Sequence, residues 1–479
     1  MQTIILSSKR VESELSVEFG DILPIEIPLF NKPLLYHQIE SVKNISKNFY
    51  LTIPENYQTE IPNNVKLIEL KKDLSLIEVL KQVSSKFADS EKLFIYYGDS
   101  LFLDFEPINI ELEYFFLQKP IYGYQWGVAD IDGYVPAGGF IFKNSKLKLL
   151  LNDILTFDQL VKKIWIDVNI IKFKEFKWLD FGHSLTYYNS RRQFLETRDF
   201  NKIHFKDDFI IKSSNNILKI WCEYNWLQKL KLELPLNIPY VSNFNIKNDF
   251  ALYSIEYLNL PVLSDIFVFG RLSEEDFVKI LRAIKITLLK FKQINFNEQI
   301  ILRNDSFYNS KLNEREEEIF EIVNKLKLDL EFMKSLISEN ISYFSEKITV
   351  NGVIHGDLCF SNILFNFSTF QPIFIDPRGY TFKEDGFSLE GPINYDFYKL
   401  AHSYVMGYDY VISGYKNHSF FHILAIKKRL LIFCEIFECD VHEIKMGLKH
   451  LFITMLPLHN NSKERQLGFV NILYLIEQL

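Results

Sequence analysis

Four side chains in one stretch of the chain have the types and spacing that phosphoryl transfer needs. The segment runs His355-Gly356-Asp357-Leu358-Cys359-Phe360-Ser361-Asn362, and Phe374-Ile375-Asp376-Pro377-Arg378-Gly379 follows after a short apolar run. Asn362 lies five residues beyond Asp357, and Asp376 fourteen beyond Asn362. Moving a phosphoryl group from a nucleotide to a hydroxyl asks for little covalent chemistry from the protein. It asks for a carboxylate that orients the acceptor hydroxyl. It also asks for an amide oxygen and a second carboxylate to hold the magnesium that neutralises the phosphates. Asp357 suits the first role, Asn362 and Asp376 the second. Cys359 reads as a packing residue between them.

These groups need elements to hold them. The flanks of Asp357 and Asp376 are apolar and strand-like. Upstream, residues 200–205 and 209–212 read as a hairpin turned at Lys206-Asp207-Asp208, with Lys212 ending its second strand. Residues 215–230 read as a helix carrying Glu223, with Lys219 as an alternative to Lys212. Residues 250–257 alternate like a strand and end at Glu256, shortly before Pro261. Helical periodicity then dominates, over 273–294 with Ser273 as N-cap, 312–347, 420–438, 440–452 and 466–479. Another helix starts in the segment 391–400, which holds Asp396.

Residues 195–479 resemble the aminoglycoside phosphotransferase and choline kinase group of the protein-kinase-like fold. The loop His-x-Asp-x-x-x-x-Asn and the later Asp carry the resemblance. Gly356 and Pro377 point to the small-molecule kinases rather than the protein kinases. The resemblance implies that Asp357 is the catalytic base, and Asn362 and Asp376 the magnesium ligands. Lys212 is then the lysine that holds the nucleotide phosphates, and Glu223 its helix partner. Glu256 falls at the hinge beside the nucleotide base, His355 supports the loop, and Arg378 contacts phosphate or substrate. The implied ligands are Mg2+, ATP or another nucleoside triphosphate, and a small hydroxyl acceptor such as a sugar or amino alcohol.

The first third alternates strands, at residues 3–6, 49–53, 65–70 and 93–97, with helices at 36–44 and 71–87. That order predicts an α/β domain with a mostly parallel sheet, whose ligands bind at the carboxyl ends of the strands. Asp99 stands at such an end, and Asp180 follows another strand in Trp178-Leu179-Asp180-Phe181-Gly182. Two carboxylates of this kind suit one hard cation. Residues 1–190 are similar to sugar-phosphate nucleotidyltransferases, through Lys32-Pro33-Leu34-Leu35, Gly98-Asp99, Gly138-Gly139 and the Trp-x-Asp-x-Gly segment. The resemblance implies Asp99 and Asp180 as metal ligands and Lys32 as a catalytic-site lysine. Two departures stand out. The loop Ser7-Ser8-Lys9-Arg10 holds no glycine to cradle phosphates, and Leu23-Pro24 replaces the family's Pro-Lys pair. Lys9 and Arg10 are the substitutes for the missing charge. An active nucleotidyltransferase, a nucleotide-sugar-binding domain without catalysis, and a purely structural domain all fit these residues.

At 479 residues the chain is long enough for two domains. The expected architecture is α/β throughout: a Rossmann-like nucleotidyltransferase (GT-A-like) domain over 1–190, and an α+β, two-lobed protein-kinase-like domain over 191–479. Its small lobe covers about 195–258 and its large helical lobe about 259–479. A net charge of -7 argues against a general nucleic-acid binder. Four dispersed cysteines suit a reducing cytoplasm, and neither a signal peptide nor a membrane span is expected. The two resemblances together imply a bacterial kinase and nucleotidyltransferase of capsular or other surface-polysaccharide biosynthesis, and the expected setting is cytoplasmic; its oligomeric state is open. The rivals are a non-catalytic regulatory or scaffold protein of that process, and a glycosyltransferase, against which the Lys-Pro-Leu-Leu and Trp-x-Asp-x-Gly segments speak; the triplet Asp130-Ile131-Asp132 reads as a turn before Gly133 and does not stand at the end of the strand that carries Gly98-Asp99.

Overall fold

The computed structural model describes the chain apart from positions 104, 106–111, 120–132, 167–170, 174–176, 198–203, 207, 248, 292, 295–304, 348–350, 380, 384–385 and 416. The Asp130–Asp132 triplet, Asp207 and residues 200–203 of the expected hairpin therefore lie outside the described residues. The chain divides into two compact units. One spans 1–195 with 269–271, the other 196–268 with 272–479.

In the first unit the strands are β1 (Gln2–Leu6), β2 (Asn48–Pro54), β3 (Val65–Leu70), β4 (Lys92–Tyr97), β5 (Ser100–Leu103), β6 (Tyr114–Gln118), β7 (Val135–Lys143), β8 (Ile171–Phe173) and β9 (Lys177–Asp180). Seven of them form a sheet in the order β3-β2-β1-β4-β7-β6-β8. The first four run parallel, and β7 enters antiparallel to β4. The apolar runs of the central strands follow from burial on both faces. Along β4, Leu93 and Ile95 join the core on one side with Leu80 and Phe140, while Phe94 and Tyr96 join the other with Leu35 and Phe102. The helix expected from residue 71 begins instead at Leu76. Ser75 caps it: its Oγ accepts the Glu78 N–H at 3.3 Å, while the Glu78 carboxylate accepts the Ser75 N–H at 2.8 Å. The two glycines at 138–139 let β7 pass its neighbours. A Cβ on Gly139 (φ +149) would lie 2.0 Å from the Ile95 carbonyl oxygen, and one on Gly138 (φ +69) 2.2 Å from the Phe102 ring.

The second unit has two lobes. The smaller is an antiparallel sheet of β10 (His204–Lys206), β11 (Phe209–Ser214), β12 (Val241–Lys247) and β13 (Phe250–Glu256), ordered β10-β11-β13-β12, with the helix Ile217–Glu233. The larger is mostly helical, with Glu274–Phe291, Ser310–Lys325, Leu330–Glu346, Asn394–Tyr404, Ile423–Phe437, Val441–Met455 and Lys463–Glu477. Ser273 does cap the first of these, accepting the Asp276 N–H at 3.1 Å. Short strands carry the chemistry-bearing loop. β14 (Asn351–Val353) leads into His355, and β15 (Ile363–Asn366) pairs antiparallel with β16 (Gln371–Phe374) just before Asp376. The first unit is thus an α/β domain with a mostly parallel sheet, and the second an α+β unit of two lobes.

Candidate functional sites

In the second unit, the sequence-distant groups meet in one cavity of about 450 Å³. Lys212, Glu223, Asp357, Asn362, Asp376 and Arg378 all line it. Lys212 on β11 ion-pairs with Glu223 and donates to Asp376 Oδ1 at 2.7 Å. Glu223 is 1 % exposed and also accepts the Tyr253 hydroxyl at 2.5 Å. Burial raises the Glu223 carboxyl, and the Lys212 charge opposes that rise. Lys219 reaches the same cavity but is exposed, so Lys212 is the lysine that the fold pairs.

The loop around Asp357 is braced from below. The buried Asp396 carboxylate accepts the backbone N–H groups of His355 (2.7 Å) and Gly356 (2.9 Å). His355 is fully buried, and burial lowers its pKa to about 4. Its neutral ring donates Nε2–H to the Ile375 carbonyl at 2.9 Å, and Trp226 Nε1–H bonds the Ile354 carbonyl at 2.8 Å. Gly356 (φ +78) packs against Arg378, whose Cβ would stand 2.9 Å from a Cβ added there. Asp376 itself is left-handed at φ +54, which turns it out of β16 toward Lys212.

Lys399 belongs to this centre although the sequence reading gave it no role. Its ammonium lies 2.9 Å from Asp357 Oδ1. Burial alone would raise the Asp357 carboxyl. Burial is the largest single influence, but the Lys399 charge and its hydrogen bond, with smaller help from His355 and His402, together outweigh it and bring the carboxyl down to about 2. Asp357 is thus a weak base held ionised, suited to aligning a hydroxyl and taking its proton late. Asn362 donates Nδ2–H to the Asp357 carbonyl (2.8 Å) and carboxylate (3.2 Å). Its Oδ1 is the atom left to ligate a cation beside Asp376, so the donor set fits magnesium.

Glu256 does not join the cavity. Its carboxylate accepts the Tyr240 N–H at 2.9 Å, and its own N–H bonds the Tyr240 carbonyl at 2.8 Å, fixing the end of β13. Burial pushes the Cys359 thiol up, as befits a packing residue.

In the first unit a cavity of about 310 Å³ opens at the carboxyl ends of β1 and β4. Asp99, Asp180, Lys9, Arg10 and Gly182 line it. The short antiparallel pair β5–β9 puts Ser100 opposite Asp180, which brings Asp99 and Asp180 to the same spot. A Cβ on Gly182 would stand 2.9 Å from Asp99 Oδ2 and 3.5 Å from Asp180 Oδ1. Burial first, and then the Asp99 charge, raises the Asp180 carboxyl to about 7. Asp180 Oδ2 is buried without a hydrogen-bond partner among the described residues. Two converging carboxylates, one with an orphaned oxygen, fit a divalent cation, whose charge would relieve their repulsion.

Lys32 stands apart from this cavity. Phe30 and Asn31 are left-handed (φ +53 and +59), and Leu29 N–H bonds the Lys32 carbonyl at 2.8 Å, so the tight turn leaves Lys32 exposed. Arg10 lies over the Tyr57 ring at 4.2 Å and pairs with Asp21 at 3.1 Å. The first amide of the loop, Ser7 N–H, is committed to Thr52 Oγ1 at 2.8 Å.

No family model and no curated protein matches the chain. The solved structures it is similar to include two kinds. One is the inositol-1-phosphate CTP transferase from T. maritima, 18 % identical with a TM-score of 0.32, covering 41 % of this chain and 96 % of that one. The other comprises aminoglycoside phosphotransferases. A GDP complex of an aminoglycoside 2'-phosphotransferase IIIa mutant is 13 % identical with a TM-score of 0.39, covering 62 % of this chain and 98 % of that one. A gentamicin complex of APH(2")-IIa is 14 % identical with a TM-score of 0.35, covering 59 % and 94 %.

Proposed function

We propose that the chain is a bifunctional enzyme: a small-molecule kinase in its second unit and a sugar-phosphate nucleotidyltransferase in its first. The observation that carries the kinase half is the meeting of Lys212, Glu223, Asp357, Asn362 and Asp376 in one cavity. The acceptor hydroxyl attacks the γ-phosphorus of ATP, the bond to the bridging oxygen breaks, and ADP leaves. Asp357 orients the hydroxyl and receives its proton. Lys212, held by Glu223, counters phosphate charge. Magnesium, when bound by Asn362 and Asp376, neutralises charge that builds on the transferring group.

In the first unit, a phosphate oxygen of a sugar phosphate attacks the α-phosphorus of a nucleoside triphosphate and pyrophosphate leaves. Asp99 and Asp180 would hold a divalent cation, whose charge would offset that on the phosphates. A second reading, a nucleotide-sugar-binding domain without catalysis, is supported by the exposed Lys32 and the committed Ser7 amide. The two reactions in series make an activated precursor of the kind a surface polysaccharide consumes. That last placement, and a cytoplasmic setting, follow from the resemblance in the sequence. No helix among the described residues is long and apolar enough to cross a membrane.

Two variants of the full chain test this. Asp357→Ala abolishes Mg2+-dependent phosphorylation of acceptors and leaves pyrophosphate release in place. Asp99→Ala does the reverse. Normal phosphorylation by Asp357→Ala sinks the kinase half. If the unmodified chain releases no pyrophosphate with a broad set of sugar phosphates, the binding-domain reading replaces the transferase one. Absence of any Mg2+-dependent ATP turnover favours a regulatory or scaffold role.

A further inference from the structure

Beyond Asp357 the kinase-like cavity continues between the helices Ser310–Lys325, Asn394–Tyr404 and Val441–Met455, where Lys311, Arg315, Tyr395 and Thr454 line it. The Lys311 ammonium lies 4.6 Å from the ring centroids of both Phe307 and Tyr395, and 3.3 Å from the Tyr395 hydroxyl. Arg315 Nη1–H bonds the Thr454 carbonyl at 2.5 Å. No carboxylate among the described residues pairs with either cation, although Glu314 lines the same cavity, whereas Lys399 there has Asp357. Burial, then the charges of Arg378, Lys399 and Arg315, pushes the Lys311 ammonium well below its ordinary pKa. Cations gathered in a partly buried cavity repel one another, and a bound anion removes that cost.

Resting on the kinase reading above, we propose that the acceptor carries an anionic group, a phosphate or a carboxylate, which Lys311 and Arg315 hold while its hydroxyl faces Asp357. The planar guanidinium of Arg315 suits a paired contact to two anion oxygens, and Lys311 adds a point charge. The same field disfavours cationic acceptors, so amino alcohols are poor substrates.

The test is calorimetry on the full chain saturated with Mg2+ and a non-hydrolysable ATP analogue. Four probes of similar size are titrated: glycerol 2-phosphate, glycerate, glycerol and ethanolamine. At least one of the two anions binds, and the stronger tells phosphate from carboxylate; glycerol and ethanolamine do not. Lys311→Met and Arg315→Met each weaken anion binding by about tenfold or more, the scale of one charge-assisted contact, and Lys311→Arg restores it. Affinity of each variant for the ATP analogue reports that the fold is intact. The proposal is overturned if neither anion binds, if ethanolamine or glycerol binds as well as the anions, if Lys311→Met leaves anion affinity unchanged, or if the anion competes with the nucleotide analogue. Failure of the unmodified chain to bind Mg2+ and the analogue at all would instead remove the kinase reading.

Discussion

Asp357 and Lys399 act as a unit at the centre of the larger cavity. The ammonium at 2.9 Å gives the largest of the contributions that hold the carboxyl low against burial, which raises it. With the carboxyl at about 2, the proposed phosphoryl transfer should show no acid limb from this group above about pH 4. Lys399→Met takes away the opposing charge. Its kcat–pH profile should then show an acid limb displaced upward, with kcat at neutral pH lowered by about tenfold or more. Three residues on, His402 donates Nδ1–H to the Lys399 carbonyl at 2.6 Å, and its Nε2 is buried without a partner. Protonating Nε2 would bury an unsatisfied donor, and burial accordingly lowers this imidazole to about 3. Between pH 6.5 and 3 the unfolded chain therefore binds a proton that the folded chain refuses, so stability falls as pH falls through that window. The contribution is up to about 1.4 kcal/mol per pH unit. Asp396 and Asp409, both raised to about 7 by burial, pull the other way, so the comparison is made at each pH between the two proteins. Urea melts at pH 7 and pH 5 should show His402→Asn losing less stability on acidification than the wild type.

At the scale of elements, close helix packing in the large lobe depends on Gly447. A Cβ there would stand 2.2 Å from the Tyr398 ring, on the helix that also presents Asp396 and Lys399. Gly447→Ala should cost about 1–3 kcal/mol in urea unfolding, as overpacking does. Much at this scale was legible in the sequence. The apolar run of β4, the Ser273 cap and the strand before Asp376 all follow from local pattern. The start of the first unit's third helix was legible too, in Ser75-x-x-Glu78, a signal the periodicity over 71–87 masked. Lys32 and Glu256 show where pattern stops. Each sits in a familiar-looking segment, but a left-handed turn in one case and a strand-end hydrogen bond in the other decide where the side chain goes. Lys399, Lys311 and Arg315 could not be singled out, because only helix packing brings them to a loop far away in the chain.

At the scale of the molecule, each unit holds a set of groups that needs nothing from the other's residues: Asp99 with Asp180 in one, Lys212 through Lys399 in the other. The spacing from His355 to Asp376 made the second set readable, since one loop and one strand end carry most of it. The first set is spread over two strands that meet only through the β5–β9 pairing, and spacing does not encode that pairing. Between those two carboxylates sits Gly182, which ligates nothing. A side chain there would press on Asp99 Oδ2, so that carboxylate would have to move. If the two aspartates share a cation as proposed, the space Gly182 leaves empty bears on the size of ion they accept, and a substitution at 182 should shift metal preference by displacing Asp99.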